Sequence, residues 1–216
     1  TIPFALLDAC VNGMTGMISR ADCLRSQIFE SYALEQHGEI SIPRQAERQN
    51  PDQYKNIIMN PPYSMKFPDT DDYEILGWKI PKSKADFGFI LRGVQHLKED
   101  GRQIVVLPHG ILFRGAQEGK IRKWLIENHM ISAVIGVPDK LFLNTSIPVF
   151  LLVIEHNSKD VLFIDASKEF VKKAAQNDLD QQHIEKVVNT FLDRREIEKY
   201  SYIAKYEEIE ENDFNL

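Results

Sequence analysis

The stretch Tyr54-Lys55-Asn56-Ile57-Ile58-Met59-Asn60-Pro61-Pro62-Tyr63 joins a short apolar run to a turn that lacks two of its backbone donors. Residues 54–59 have the length and composition of a strand. The two prolines fix φ and remove their N–H groups, so the turn is stiff and presents acceptors. The Asn60 side-chain oxygen and the Pro61 carbonyl can both accept from one NH2 group. Tyr63 offers a ring to a flat base. A proline-rich turn with a buried tyrosine would use the same residues, and the tetrapeptide alone leaves both readings open.

Working outward, residues 84–98 carry Phe87, Ile90, Leu91, Val94 and Leu97 at helical spacing. Asp100-Gly101 turns that helix into a strand over 103–107. A second helix is predicted over 117–128, with Ile121, Trp124 and Leu125 inward. Strands are predicted at 131–137, 147–154 and 161–164. Helices and strands alternate until the last strands meet without helices, which is α/β order with an antiparallel end. Upstream, 3–13 reads as a helix and 17–22 as a strand. Residues 23–53 read as a long connection, polar and mixed, with room for one short helix. Residues 64–83, rich in Pro, Asp and Lys, read as a mobile functional loop. Beyond 166 the pattern suggests two helices, a short extended piece over 200–206 and a solvated acidic end over 207–213. The domain expectation is 1–165 for the α/β part and 166–216 for a helical extension.

The 216 residues suffice for a sizeable core. A formal net charge of −6 excludes a small, self-sufficient electrostatic DNA binder. It leaves room for an enzyme subunit whose partner holds the duplex. Cys10 and Cys23 lack metal-type spacing, no metal is expected, and so few cysteines suit a reducing cytoplasm. No apolar run reaches membrane-spanning length.

Four further stretches complete a series: Leu107-Pro108-His109-Gly110-Ile111-Leu112-Phe113, Phe142-Leu143-Asn144-Thr145-Ser146-Ile147, Phe163-Ile164-Asp165-Ala166-Ser167 and the acidic end Glu208 to Leu216. With Asn60-Pro61-Pro62-Tyr63, and in this order, the series resembles the modification (M) subunit of type I restriction-modification systems, an N6-adenine DNA methyltransferase. The resemblance implies a Rossmann-like, S-adenosylmethionine-dependent sheet with a short helical tail. It implies methyl transfer to N6 of a flipped adenine in DNA, beside a specificity subunit and a restriction subunit. The family's acidic and glycine-rich donor loop has only a poor imitation in Asp8-Ala9-Cys10-Val11-Asn12-Gly13-Met14-Thr15-Gly16, so the sheet is expected to be truncated at its amino end. A truncated sheet leaves the 54–59 strand with an unpaired edge and invites self-association.

On this reading Asn60, Pro61, Pro62 and Tyr63 form the catalytic turn. Tyr63 and Phe142 stack on the target base, with burial as the alternative for each. Asp22 at a strand end, with Asn60, faces the cofactor; a helix N-cap or a solvent-facing acid explains Asp22 equally well. Lys79, Lys82 and Arg114 are candidate phosphate contacts, with Lys84, Lys120, Arg122 and Lys123 behind them. His109 is read as structural, because N6 methylation needs no strong base before attack. Asp86-Phe87-Gly88 imitates a kinase motif but falls inside a predicted helix. Two rival functions remain: a protein glutamine N5-methyltransferase, and a non-catalytic fragment that docks on a specificity subunit.

Overall fold

The computed structural model describes residues 16–22, 27–45, 53–66, 74–142, 147–174 and 176–216. The chain divides into two compact units, Thr1–Asp52 and Gln53–Leu216.

The first unit is a three-stranded antiparallel sheet of β1 (Gly16–Asp22), β2 (Gln27–His37) and β3 (Ile40–Gln45), in the order β1-β2-β3. β2 and β3 are joined by a two-residue hairpin, with His37 opposite Ile40. Gly38 takes φ +67° there, a conformation glycine adopts without steric cost. The expected polar connection over 23–53 is therefore corrected: it holds two strands. A one-sided sheet alternates polar and apolar residues, and its strands look merely mixed in composition. Leu34 and Ser41 are buried while Glu35 and Ile42 are exposed. The expected helix over 3–13 and residues 8–15 of the donor-loop imitation lie outside the described residues; Gly16, the last residue of that imitation, opens β1.

The second unit is built on a six-stranded sheet. Its strands are β4 (Tyr54–Met59), β7 (Leu97–Pro108), β8 (Ile131–Gly136), β9 (Val149–Glu155), β10 (Val161–Asp165) and β13 (Ser201–Ala204), in the order β13-β10-β8-β9-β7-β4. β4 runs parallel to β7 and β8 parallel to β10. β9 is antiparallel to both its neighbours, β7 and β8, and β13 is antiparallel to β10. The expected antiparallel end is present in β13, and a second antiparallel strand, β9, lies in the middle. The reason is in its composition: Val149-Phe150-Leu151-Leu152-Val153-Ile154 is apolar on both faces and needs cover on both.

Alternation along β7 puts Gln103, Val105 and Leu107 on one face and Ile104 and Val106 on the other. The first face carries α1 (Asp86–Gln95), where buried Gln103 donates its Nε2–H to the Ile90 carbonyl at 3.2 Å. The second carries α3 (Gln181–Asp193), whose Val187 and Phe191 pack on the cluster of Ala133, Ile135, Val153, Leu162 and Ile164. Helices therefore cover both faces, as an α/β sheet of the Rossmann-like methyltransferase kind requires. Asp180 caps α3 by accepting from the His183 N–H at 3.0 Å. α2 (Ala116–Glu127) follows β7 through a 3-10 turn, His109–Leu112.

Three expectations change. Residues 74–79 of the supposed open loop form a hairpin of β5 (Glu74–Ile75) and β6 (Trp78–Lys79), with Leu76 and Gly77 both at positive φ. Residues 67–73 lie outside the described residues. The boundary expected at 165 does not match the division after residue 52: the last fifty residues supply edge strand β13 and a small pair, β11 (Val171–Lys172) with β12 (Asn177–Asp178). The acidic end is α4 (Tyr206–Glu211), tied down by buried Tyr206 and Ile209. Tyr206 donates its hydroxyl to the Ile131 carbonyl at 2.8 Å. Periodicity over six residues was too short to show this helix.

Candidate active site

Parallel strands β4 and β7 lie side by side, with Met59, the last residue of β4, opposite Val105, three residues before β7 ends. In open α/β sheets ligands sit beyond such carboxyl ends. Asn60 is the first residue past β4 and is exposed, Pro61 is buried, and Tyr63 is half-buried. Tyr63 donates its hydroxyl to Asn60 Oδ1 at 2.9 Å. Burial raises the Tyr63 pKa above its usual 10, so this hydroxyl remains a donor through the neutral range. An amide oxygen has two lone pairs, so Oδ1 retains one acceptor position for a ligand.

Tyr63 and Phe142 pack against the same small cluster, Val106, Val137 and Val149. The structure thus brings Phe142, some eighty positions on, beside the turn that carries Asn60 and Tyr63. Residues 143–146 of the following stretch lie outside the described residues. His109, just beyond β7, is exposed with its ring 5.9 Å from that of Phe150.

Behind the turn lies a group that sequence reasoning missed. Asp86, set aside as part of a kinase-like imitation, is fully buried in the first turn of α1. Its Oδ1 accepts the Ser64 backbone N–H at 2.8 Å. Its Oδ2 lies 3.2 Å from Arg114 Nη1, which also reaches Glu118 Oε1 at 3.3 Å. Arg114 Nη2 donates to Ser64 Oγ at 3.3 Å. A carboxylate at the start of an apolar helix was the available signal, because buried charges need partners.

This geometry corrects two phosphate candidates. Arg114 is committed to acceptors inside the fold. Arg122 is itself buried and donates to the carbonyls of Phe214 (2.7 Å), Ile111 (3.2 Å) and Arg114 (2.7 Å), and to Asn215 Oδ1 (3.0 Å). Lys79, Lys82, Lys120 and Lys123 are exposed and Lys84 is half-buried. Lys123 lies over the Phe214 ring and pairs with Glu127.

Asp22 ends β1 opposite Gln27, in the three-stranded antiparallel sheet. It does not end a strand of the six-stranded sheet, as the cofactor role implied. No group of His, Cys, Asp and Glu that could hold a metal occurs among the described residues. No helix among them is long and apolar enough to cross a membrane. A polar cleft lined by Asp100, Ser132, Glu155, Asp160 and Arg194 lies at the opposite end of the sheet, where β8 and β10 begin.

Comparison with known proteins identifies the family of the chain. The N-6 DNA Methylase family profile matches residues 13–216. The type I restriction enzyme MpnII methylase subunit of Mycoplasma pneumoniae is 33% identical over 178 residues, covering 77% of this chain and 33% of that protein. The MjaVII methylase subunit of Methanocaldococcus jannaschii is 34% identical over 150 residues, covering 66% and 26%. The chain spans about a third of the length of the curated relatives it matches. The crystal structure of a type I restriction-modification methyltransferase subunit from Streptococcus thermophilus superposes with a TM-score of 0.72 at 47% identity, over 78% of this chain and 38% of that one. The chain belongs to the N-6 DNA methylase family, among relatives that are methylase subunits of type I restriction enzymes.

Proposed function

We propose that this chain forms the target-base side of a DNA methyltransferase that transfers a methyl group from S-adenosylmethionine to N6 of adenine. One observation carries the reading: exposed Asn60, at the carboxyl end of β4, shares its side-chain oxygen with Tyr63, which packs on the same cluster as Phe142. N6 of adenine is out of reach inside a duplex, so the base must be extruded, at a cost of a few kcal/mol. Tyr63 and Phe142 would receive it by stacking. The amino group would then donate one hydrogen to Asn60 Oδ1 and the other to the Pro61 carbonyl. Two acceptors in the amino plane would leave the nitrogen lone pair free to develop out of it.

S-adenosylmethionine, when bound, supplies an electrophilic sulfonium methyl, and Asn60 is the described residue that would face it. When that methyl passes to N6, the S–C electron pair would stay with sulfur and the N6 proton would leave to solvent, while Asn60 Oδ1 and the Pro61 carbonyl hold the amino group. DNA is the substrate on this reading, held with the help of a specificity subunit and working beside a restriction subunit. The net charge of −6 supports a shared DNA contact.

The test is methyl transfer by the assembled enzyme with Asn60→Ala, followed by nucleoside analysis of the product. The reading expects N6-methyladenine from the parent enzyme and its loss from the variant with DNA affinity retained. Label on protein glutamine instead of DNA would transfer the assignment to the amide-methylating class.

A further inference from the structure

We propose that Asp86 and Arg114, with Gly110 making room for them, are positioning residues that set the exit of the catalytic turn and hence the aim of Asn60. This rests on the reading of Asn60 as the acceptor of the reacting amine. Pro61 and Pro62 have no N–H, so the turn cannot be anchored through its own middle. The Ser64 N–H is among the first backbone donors after them, and Asp86 Oδ1 takes it at 2.8 Å. Ser64 is held at φ +50°, a left-handed conformation that a serine adopts only when its surroundings enforce it. One residue on, the Ala85 N–H donates to the Met65 carbonyl at 2.8 Å. The first turn of α1 therefore grips the turn's exit at two successive residues.

Arg114 closes the device. Its guanidinium spans Asp86, Glu118 and Ser64 Oγ. It reaches them across Gly110, where even a Cβ would come within 2.5 Å of Arg114 Nε. The Arg114 carbonyl is held in turn by Arg122. Two cations, half-buried Arg114 and buried Arg122, thus accompany two buried anions, Asp86 and Glu118. The chain places this desolvated, balanced group directly behind the turn that carries Asn60.

The experiment compares three variants of the complete enzyme with Asn60→Ala as control. Asp86→Leu/Arg114→Met replaces the charge pair with apolar side chains of similar size, an exchange that often leaves stability intact. Gly110→Ala displaces the guanidinium. Asp86→Asn keeps an acceptor for Ser64 and loses the charge. For the double variant, turnover should fall roughly 30- to 100-fold, the scale of loss that follows a small misplacement of a reacting group. Its KM for DNA should stay within about threefold, since phosphate contacts are untouched. Amide exchange over residues 60–66 should quicken by about tenfold or more as the local opening becomes easier. Exchange over β8 and β9 should not change. Gly110→Ala should show the same pattern with a smaller loss of turnover, and Asp86→Asn should fall between it and the parent. Unchanged turnover with unchanged exchange over 60–66, in any variant that folds, overturns the proposal. So does a loss of turnover matched by faster exchange throughout the sheet. Full turnover by Asn60→Ala would overturn the reading of the site itself, independently of the exchange result.

Discussion

At the scale of single residues, Asn60 and Tyr63 are coupled by one hydrogen bond, and their substitutions separate orientation from stacking. Asn60→Ala removes the acceptor proposed for the reacting amine and leaves phosphate contacts alone. Turnover should fall by roughly 10²–10³-fold, the size of effect seen when one positioned polar partner is lost from a reacting centre. DNA affinity by titration should stay within about threefold, because phosphate contacts dominate affinity. Tyr63→Phe keeps the ring and loses the bond to Asn60. A net hydrogen bond of ~0.5–1.5 kcal/mol sets its cost in turnover at about 2- to 12-fold. Tyr63→Ala also loses the platform, worth ~1–3 kcal/mol per stacked base. A fluorescent adenine analogue at the target position reads this directly: the flipped-base signal should persist in Tyr63→Phe and collapse in Tyr63→Ala. Full signal in the alanine variant would remove Tyr63 from the base platform.

At the scale of elements, the fit of α1 on β7 depends on one missing side chain. A Cβ at Gly93 would lie 2.4 Å from the Nε2 of Gln103, a buried amide already bonded to the Ile90 carbonyl. Gly93→Ala should therefore cost about 1–3 kcal/mol as overpacking. The melting temperature should drop by roughly 2–4 °C per kcal/mol. Adding Gln103→Ala should recover part of the loss by clearing the clash; an unaltered melting curve for Gly93→Ala would contradict this packing. β4 tells a different story. It is the end strand of its sheet, and Ile58 on it is 81% exposed. Unpaired strand edges with apolar side chains template association. Light scattering against concentration should show self-association of the chain, reduced by Ile58→Lys. A strictly monomeric parent would show that this edge is otherwise protected.

At the scale of the whole molecule, acid sensitivity follows from carboxylates held below their ordinary range. Burial acts to raise the Asp160 carboxyl, but Arg194 and Lys205 outweigh it through hydrogen bonds and charge, so the net shift is downward. Asp165 is lowered first by the side chain and then by the backbone N–H of Ser167. A depressed folded-state pKa means that the unfolded chain binds more protons in the acid window. The stabilisation is therefore complete above the unfolded value of about 3.9 and is lost as pH falls through the folded value. The melting temperature should be level from neutrality to about pH 5 and fall below about pH 4. Asp160→Asn should flatten that acid limb, and an equally steep limb in the variant would assign it to other groups.

The sequence by itself determined the elements whose pattern is local. The 54–59 strand, the stripe Phe87, Ile90, Leu91 and Val94, and the all-apolar run that became β9 are set by side-chain periodicity, and periodicity is written in consecutive residues. The turn Asn60-Pro61-Pro62-Tyr63 was legible for the same reason: proline chemistry acts on its own backbone. The tertiary structure decided everything that depends on partners distant in the chain. It inserted β9 between β8 and β7, because a strand apolar on both faces gains most where both faces are covered. It placed Asp22 in a separate antiparallel sheet and made an edge strand of 201–204. It also drew Arg114 and Arg122 inward, bonding them to groups up to 93 positions away. A charged side chain carries no local mark of burial; only the fold supplies the carboxylates and carbonyls that offset the loss of its water.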